Sequence, residues 1–423
     1  MAFGKIPRFS PSFSPAEAWI CTKHLFGMGD GEDAIGEFEH AFAEYIGAKH
    51  GVMVPSARYG LYLLLEALGI EEGDEIIIPA LTYFAIPAMV ELLGAKPVFA
   101  DIGLQTHVLD VEAFEDAISD RTRAVIPTHL FGTPCDMDAI NAIASQHNIA
   151  VIEDCAQSTG ARYKGNRVGA LGGHAYYTFG LTKNITTLSG AMITTDDDAV
   201  AEHVRTQIQN SGQSKAGKSI KEALTGCAMY LATHPWLYWA TVHPAIVMGN
   251  ALGKDPIHER FGETERTYED VPESYRDQAR ARSVQAAVGL KQLERIEALN
   301  GARVRNGRAL DAGLSHVPGL TVPAYPEGSE PIYMSFVVHH EQRDALMAAL
   351  RSRGVDTTTG YMNDLSDHPL FQAYRRPCPN AAKVMTELLH IPVHPNLTEG
   401  DVAHLIESVR AATLETEGQN GVS

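Results

Sequence analysis

An α/β architecture, with a largely parallel sheet flanked by helices and a smaller α+β domain after it, is what this sequence predicts, on three observations. Between residues 51 and 210 short apolar runs alternate with helical segments of roughly 10–15 residues, the order of βαβ units. At 423 residues the chain is too long for one compact domain and fits two. After about residue 275 the alternation gives way to mixed strands and helices. The expected division is an N-terminal arm over 1–14, a large domain over 15–265, a small domain over 275–415 and a polar, disordered tail over 416–423.

In chain order, Pro7, Pro11 and Pro15 mark an extended arm ahead of a helix near Ala16 to Leu25. Phe26 to Gly31 has the look of a glycine-rich phosphate loop, but no strand precedes it, so it reads as a plain loop. Ile35, Phe38, Phe42 and Ile46 have helical spacing and end at Gly47. A strand over Gly51 to Val54 leads through Pro55-Ser56-Ala57-Arg58 into a helix from about Tyr59 to Leu68. Such a turn aims backbone N–H groups and the positive helix end at a phosphate, and Arg58 adds a fixed fork of donors. Further strands are expected over Glu75 to Pro79, Lys96 to Ala100, Ala124 to Pro127, Ala150 to Ile152, Ala175 to Phe179 and Gly190 to Thr195. Helices fall between them at Tyr83 to Leu93, Val111 to Ile118 and Met137 to His147, with another over Asp197 to Asn210. One long helix is expected over Tyr275 to Leu310. The small domain follows, with strands at Leu320 to Val322, Tyr333 to His339 and His390 to Val393 and helices at Gln342 to Arg353 and Glu399 to Thr413.

Residues 211–270 stand apart. Lys215, Lys218 and Lys221 precede a stretch from Leu224 to Gly253 without one charged residue, holding Trp236, Tyr238 and Trp239 between two His-Pro pairs. The prolines and histidines argue against a transmembrane helix. Two readings stand: a hairpin packed on the protein or at a subunit interface, or a peripheral membrane contact with aromatics at headgroup level and an amphiphilic substrate.

The totals narrow the function. An apolar fraction of 45% and a charged fraction of 20% are those of an ordinary soluble globular protein. A net charge of −18 leaves no basic stripe for nucleic acid. Five dispersed cysteines without a C-x-x-C pair read as reduced thiols, and the first residues lack a signal-peptide core, so a cytoplasmic protein is expected. No metal site is expected.

The chemistry concentrates between Ile149 and Lys183. A strand ends on Glu153-Asp154, and the next is followed by Gly180-Leu181-Thr182-Lys183. A carboxylate and a lysine at the mouth of a parallel sheet suit pyridoxal phosphate, the amine forming a Schiff base and the acid keeping the ring nitrogen protonated. The alternative for either residue alone is a turn-capping Asp and a solvated Lys. Cys155 beside them reads as a reactive thiol or as a small packed residue.

Several segments together resemble the DegT/DnrJ/StrS family of sugar aminotransferases, which are fold-type I pyridoxal-phosphate enzymes. They include Gly73-Asp74-Glu75, Pro79-Ala80-Leu81-Thr82-Tyr83, Gly94 to Phe99, His129 to Gly132, Val151 to Gln157, Gly160 to Gly165, Thr182-Lys183-Asn184 and Gln285 to Leu290. The resemblance implies that Lys183 is the Schiff-base lysine (the internal aldimine), Asp154 faces the pyridine nitrogen and Gln157 lies near the phenolic oxygen. It further implies that Tyr83 stacks on the ring, that Ser56, Ala57, Arg58 and Thr178 bind the phosphate, and that Gln278 stands in for a residue reaching the partner subunit's phosphate. Glutamate as donor, a keto-sugar acceptor and a homodimer follow from the same source. Three places depart from the family pattern: Gly173-His174, the run Thr186 to Gly190 without the usual Glu, and Gln278 to Ala281. They leave open an amphiphilic or lipid-linked ketone as acceptor. Deoxysugar dehydration is a further alternative, which Lys183 counts against because relatives of that kind carry histidine there; a non-catalytic member of the fold is another.

Overall fold

The computed structural model describes residues 5–26, 28, 33–212, 216–232, 234, 237–238, 244, 279–360 and 362–420. Its centre is a seven-stranded sheet built from β1 (His50–Val54), β2 (Glu75–Pro79), β4 (Lys96–Ala100), β5 (Thr122–Val125), β6 (Ala150–Asp154), β9 (Gly173–Thr178) and β10 (Ala191–Thr195). The spatial order is β1-β10-β9-β6-β5-β2-β4. Only β10 opposes the rest, pairing antiparallel with both β1 and β9. Five short strands lie elsewhere: β3 (Leu81–Thr82), β7 (Arg162–Tyr163), β8 (Asn166–Arg167), β11 (Ser329–Glu330) and β13 (Asn363–Asp364).

Successive residues of a strand point to opposite faces, and here both faces are dry. Val52 and Val54 join Ile76, Ile78, Ile193 and Leu64 in one core, beneath α3 (Ala57–Ala67), α4 (Ala85–Leu92) and α7 (Asp198–Asn210). Met53 and Met192 join Phe38, Phe42, Tyr177 and Phe179 on the other face, against α2 (Asp33–Ile46). Farther along that face Ile77 and Val125 pack with Phe114 of α5 (Val111–Glu115) and Ile140 of α6 (Met137–His147). Burial on both sides explains why the strands read as unbroken apolar runs.

Helix α1 (Pro15–Leu25) is opened by a capping box between Ser14 and Glu17, and α8 (Ala216–Ala232) lies against it. The expected single long helix is two: residues 279–282 are non-helical, α9 (Ser283–Leu293) begins after an extended Arg282, and the chain turns at Arg295 before α10 (Ile296–Leu314). The turn lets Arg295 donate to the Ser12 carbonyl at 2.8 Å and the Ser14 hydroxyl at 2.9 Å. A second core gathers Leu310 and Leu314 of α10, Val338 of β12 (Phe336–His339), Leu346 of α11 (Arg343–Ser352), Leu389 of β14 (Leu388–Ile391) and Leu405 of α13 (Glu399–Asn420). The short helix α12 (Pro379–Glu387) packs on the first core through Val384. Ile6 of the arm enters the second core and pairs with Val355. Instead of a strand over 320–322, only Thr321 bridges to His339. The tail is not free at residue 416 either: α13 continues to Asn420, with Thr416 buried.

Of the uncharged stretch, α8 and Tyr238 are described in part. Tyr238 is fully buried and donates to Asp356 at 3.0 Å, so this aromatic packs into the protein and not at a lipid surface. Trp236, Trp239 and most of the remainder lie outside the described residues, as do Gln278 and most of the Phe26 to Gly31 loop. No helix among the described residues is long and apolar enough to cross a membrane.

Candidate active site

The parallel strands converge on a cavity of about 490 Å³ at their C-terminal ends. Of the nine residues expected to bind or act on the cofactor, eight wall it: Ser56, Ala57, Arg58, Tyr83, Asp154, Gln157, Thr178 and Lys183. Gln278 is the ninth.

Asp154 ends β6 in register with Tyr176 of β9, which brings the tips of the two strands side by side. Its carboxylate is 3% exposed, accepts from the Ala156 N–H at 2.9 Å, and takes the Thr128 hydroxyl at 3.3 Å. Burial pushes this carboxyl above its usual range, opposed by the Ala156 bond and the Lys183 charge. Lys183 follows a tight turn closed by its own N–H on the Gly180 carbonyl at 3.0 Å. Desolvation holds its ammonium below the ordinary lysine value, and Asp154 acts in the other direction. An amine brought toward neutrality is the form that attacks a carbonyl carbon.

Ser56 caps α3, its hydroxyl accepting from the Tyr59 N–H at 3.3 Å, so the positive helix end with Ala57 and Arg58 opens on the cavity. Gln157 has a fixed orientation: its oxygen accepts from the Phe131 N–H at 3.1 Å, and its amide nitrogen lies 3.8 Å from the Met362 sulfur. These groups fit pyridoxal phosphate: an anion-seeking helix terminus at one end, a buried acid for a ring nitrogen, and a desolvated amine within the field of that acid.

Several wall residues were not among those the sequence singled out. Thr128 and Tyr176 flank Asp154, and burial plus the neighbouring carboxylate drive the Tyr176 hydroxyl far above its usual range. Arg8, Arg303, His390 and His394 come from the arm and from the second core's elements. Thr128 alone had a clue, since it directly precedes the His129-Leu130-Phe131-Gly132 run.

Cys155 is not a reactive thiol: complete burial pushes it up to about 12. With His129 and Glu153 it forms a tight buried group. Glu153 there accepts three backbone N–H bonds from Gly169, Leu171 and Gly172 at 2.6–2.7 Å, besides facing His129 Nε2 at 2.9 Å. The His129 Nδ1 accepts the Cys135 N–H. The donors are thus consumed in bracing the strand end beneath Asp154. His174 sits at the far end of β9 against Thr195 and does not line the cavity.

Residues 22–233 and 260–410 match the DegT/DnrJ/EryC1/StrS aminotransferase family. Among similar proteins, the spore coat polysaccharide biosynthesis protein SpsC of Bacillus subtilis is 30% identical over 384 residues, 88% of each chain. The dTDP-3-amino-3,4,6-trideoxy-alpha-D-glucose transaminase of Streptomyces venezuelae is 30% identical over 377 residues, 88% of this chain and 85% of that one. Among solved structures, DesV of S. venezuelae aligns with a TM-score of 0.77 at 27% identity, covering 97% of this chain and 98% of the other.

Proposed function

Because the chain belongs to the DegT/DnrJ/EryC1/StrS aminotransferase family, whose members use pyridoxal phosphate, we propose that it moves the amino group of glutamate onto the ketone of a nucleotide-linked sugar. The observation that carries this reading is one cavity holding a desolvated amine, Lys183, within the field of a buried carboxylate, Asp154. The sugar acceptor is supported by the names of the relatives, one a transaminase of a dTDP-sugar and one a polysaccharide biosynthesis protein.

Ser56, Ala57, Arg58 and Thr178 would hold the cofactor's phosphate, Tyr83 its ring face, Gln157 its phenolic oxygen and Asp154 its ring nitrogen. Gln278 is assigned to the partner subunit's phosphate in a homodimer. When bound, the cofactor supplies a protonated ring that withdraws electrons from the substrate carbon bearing the nitrogen. Lys183 would be the residue that holds the cofactor, and its Nζ, once free, would carry the proton that leaves the donor's α-carbon. Asp154 would pair with the ring nitrogen, and Thr128 and the Ala156 N–H keep its carboxyl group aimed.

Replacing Lys183 tests the assignment. Lys183→Ala is expected to lose the visible absorbance of the lysine-bound cofactor and all glutamate-dependent bleaching, with the fold unchanged by circular dichroism. Full transamination by the variant would overturn the assignment. Sedimentation at micromolar concentration reads the dimer.

A membrane-peripheral position has one observation in its favour. Ile220, Leu224 and Leu231 are exposed along one face of α8, next to Lys221, and Trp19 is exposed on α1, the helix that α8 packs against. Flotation with anionic vesicles should carry the protein upward, and Leu224→Glu/Leu231→Glu should release it. Failure of the unaltered protein to float removes this reading and leaves the aminotransferase reading untouched.

A further inference from the structure

Among the described residues four cationic side chains line the cavity. Arg8 is tied to Asp356 by bonds of 2.9 and 2.7 Å. Lys183 faces Asp154, and Arg58 opens α3 at the phosphate turn. The fourth, Arg303, is 4% exposed, has no carboxylate or hydrogen-bond acceptor among the described residues, and keeps its Nε buried without a partner. Desolvation alone lowers it to about 10, so it remains charged at neutral pH. Burying such a cation without an anion is unfavourable, and here the cation lines the same cavity as Lys183 and Asp154.

Its position relative to Lys183 is fixed. Arg303 lies one turn after Asn300 on α10, so the two share a helix face. The Asn300 oxygen accepts from the Asn184 amide at 3.1 Å, and both amides donate to the Thr159 carbonyl at 2.9 and 2.7 Å. Asn184 directly follows Lys183. Gly160, with φ +93°, leaves the space this frame needs, since a Cβ there would fall 2.6 Å from the Asn300 amide. Beside Arg303, His394 is kept neutral, lowered to about 3 by burial and by the guanidinium, so it adds a polar ring without a second charge.

We propose that Arg303 anchors a carboxylate of the amino-acid donor, its paired N–H groups gripping the anion while the donor's amino group is turned toward the Lys183 end of the cavity. A carboxylate matches a guanidinium fork in bidentate fashion, and the deep burial suits a small anion over an extended diphosphate. The inference rests on the aminotransferase reading.

The test uses the holoenzyme and the Arg303→Gln and Arg303→Lys variants. The visible band of the lysine-bound cofactor should persist in all three. The glutamate concentration that half-bleaches it should rise on the order of 100-fold or more in Arg303→Gln, as expected for two lost charge-assisted bonds, and recover in part in Arg303→Lys. Binding of 2-oxoglutarate, read by calorimetry, should weaken in parallel, while dTDP binding stays constant. Glutamate and 2-oxoglutarate constants within about two-fold of the unaltered protein, or a loss confined to dTDP, overturn the proposal. If Arg303→Gln does not fold, the unaltered protein decides. Isoglutamine, lacking the α-carboxylate, or glutamine, lacking the γ-carboxylate, should lose on the order of 100-fold, which also says which carboxylate is held; equal constants for all three overturn it. A band that glutamate does not bleach in the unaltered protein counts against the donor reading alone, and the calorimetric comparison then judges Arg303.

Discussion

At Asp154 function and stability pull against each other. The net effect of its surroundings is to raise its pKa, so its folded value lies above the unfolded one and the charged form is disfavoured by folding. A raised carboxyl contributes stability only when protonated, and that contribution is lost as pH rises through the folded pKa. Asp154→Asn in cofactor-free protein is therefore expected to hold or gain melting temperature at pH 7, the gain over the parent vanishing as pH falls below the carboxyl's titration. The Asn oxygen can still accept the Ala156 N–H. Turnover should fall about 100-fold or more, as the ring nitrogen loses its counter-ion; unchanged turnover would remove Asp154 from its assigned role. Lys183 and Asp154 were legible in the sequence because Asp154 ends one strand of an evident parallel series and Lys183 lies just past the end of the next. Arg303 was not. It sits among Arg295, Arg305 and Arg308 on a helix, where a basic run reads as a solvated face, and only the packing of α10 turns one of those side chains inward.

Among elements, the arm is where periodicity gave least guidance. Its prolines suggested an extended segment but not what it touches. Ile6 fills the second core, the Arg8 N–H groups grip Asp356, Asn396 donates to Ser10 at 2.8 Å, and Gln292 and Arg295 hold the Ser12 carbonyl. Those partners lie far along the chain, so no local pattern could reveal them. The break between α9 and α10 was hidden for a related reason: Glu294 and Arg295 suit a continuing helix, and the turn is held by contacts to the arm. The strands of the seven-stranded sheet, by contrast, are set by burial on both faces and were located to within about two residues. Arg8 and Asp356 are 4% and 2% exposed. Asp356→Ala should thus take the carboxylate away from a buried guanidinium and cost up to about 3–5 kcal/mol, read as a lower urea midpoint with unchanged slope. Tyr238→Phe, which removes one bond to the same carboxylate, should cost only about 0.5–1.5 kcal/mol. Equal losses for the two would mean that Tyr238, and not the ion pair, secures the arm.

Across the whole molecule, β12 joins the two cores, with Val337 in the first and Val338 in the second, and buried histidines lie close by. His107 follows β4, and its ring stacks on His339 of β12 with centroids 4.7 Å apart and the Nε2 atoms in hydrogen-bonding contact. His390 of β14 meets Phe131 edge-on at 5.2 Å, and His394 lies behind it on the cavity wall. Burial is the main cause that lowers all three of His107, His390 and His394, to about 3, 4 and 3. The sign follows from the order of the two states: the unfolded chain binds protons near pH 6.5, whereas the native rings stay neutral until about pH 4. Stability is therefore expected to hold above pH 6.5 and to fall as pH drops from there toward 4, by up to about 4 kcal/mol per pH unit from these three rings together. Urea midpoints of the cofactor-free protein at pH 5, 6, 7 and 8 read this directly. His107→Gln keeps a hydrogen-bonding group against His339 but cannot titrate, so it should flatten the acid limb by about a third. A midpoint constant from pH 8 to 5 would mean that the native rings take up protons as the unfolded ones do, and their burial would then not set the acid limb.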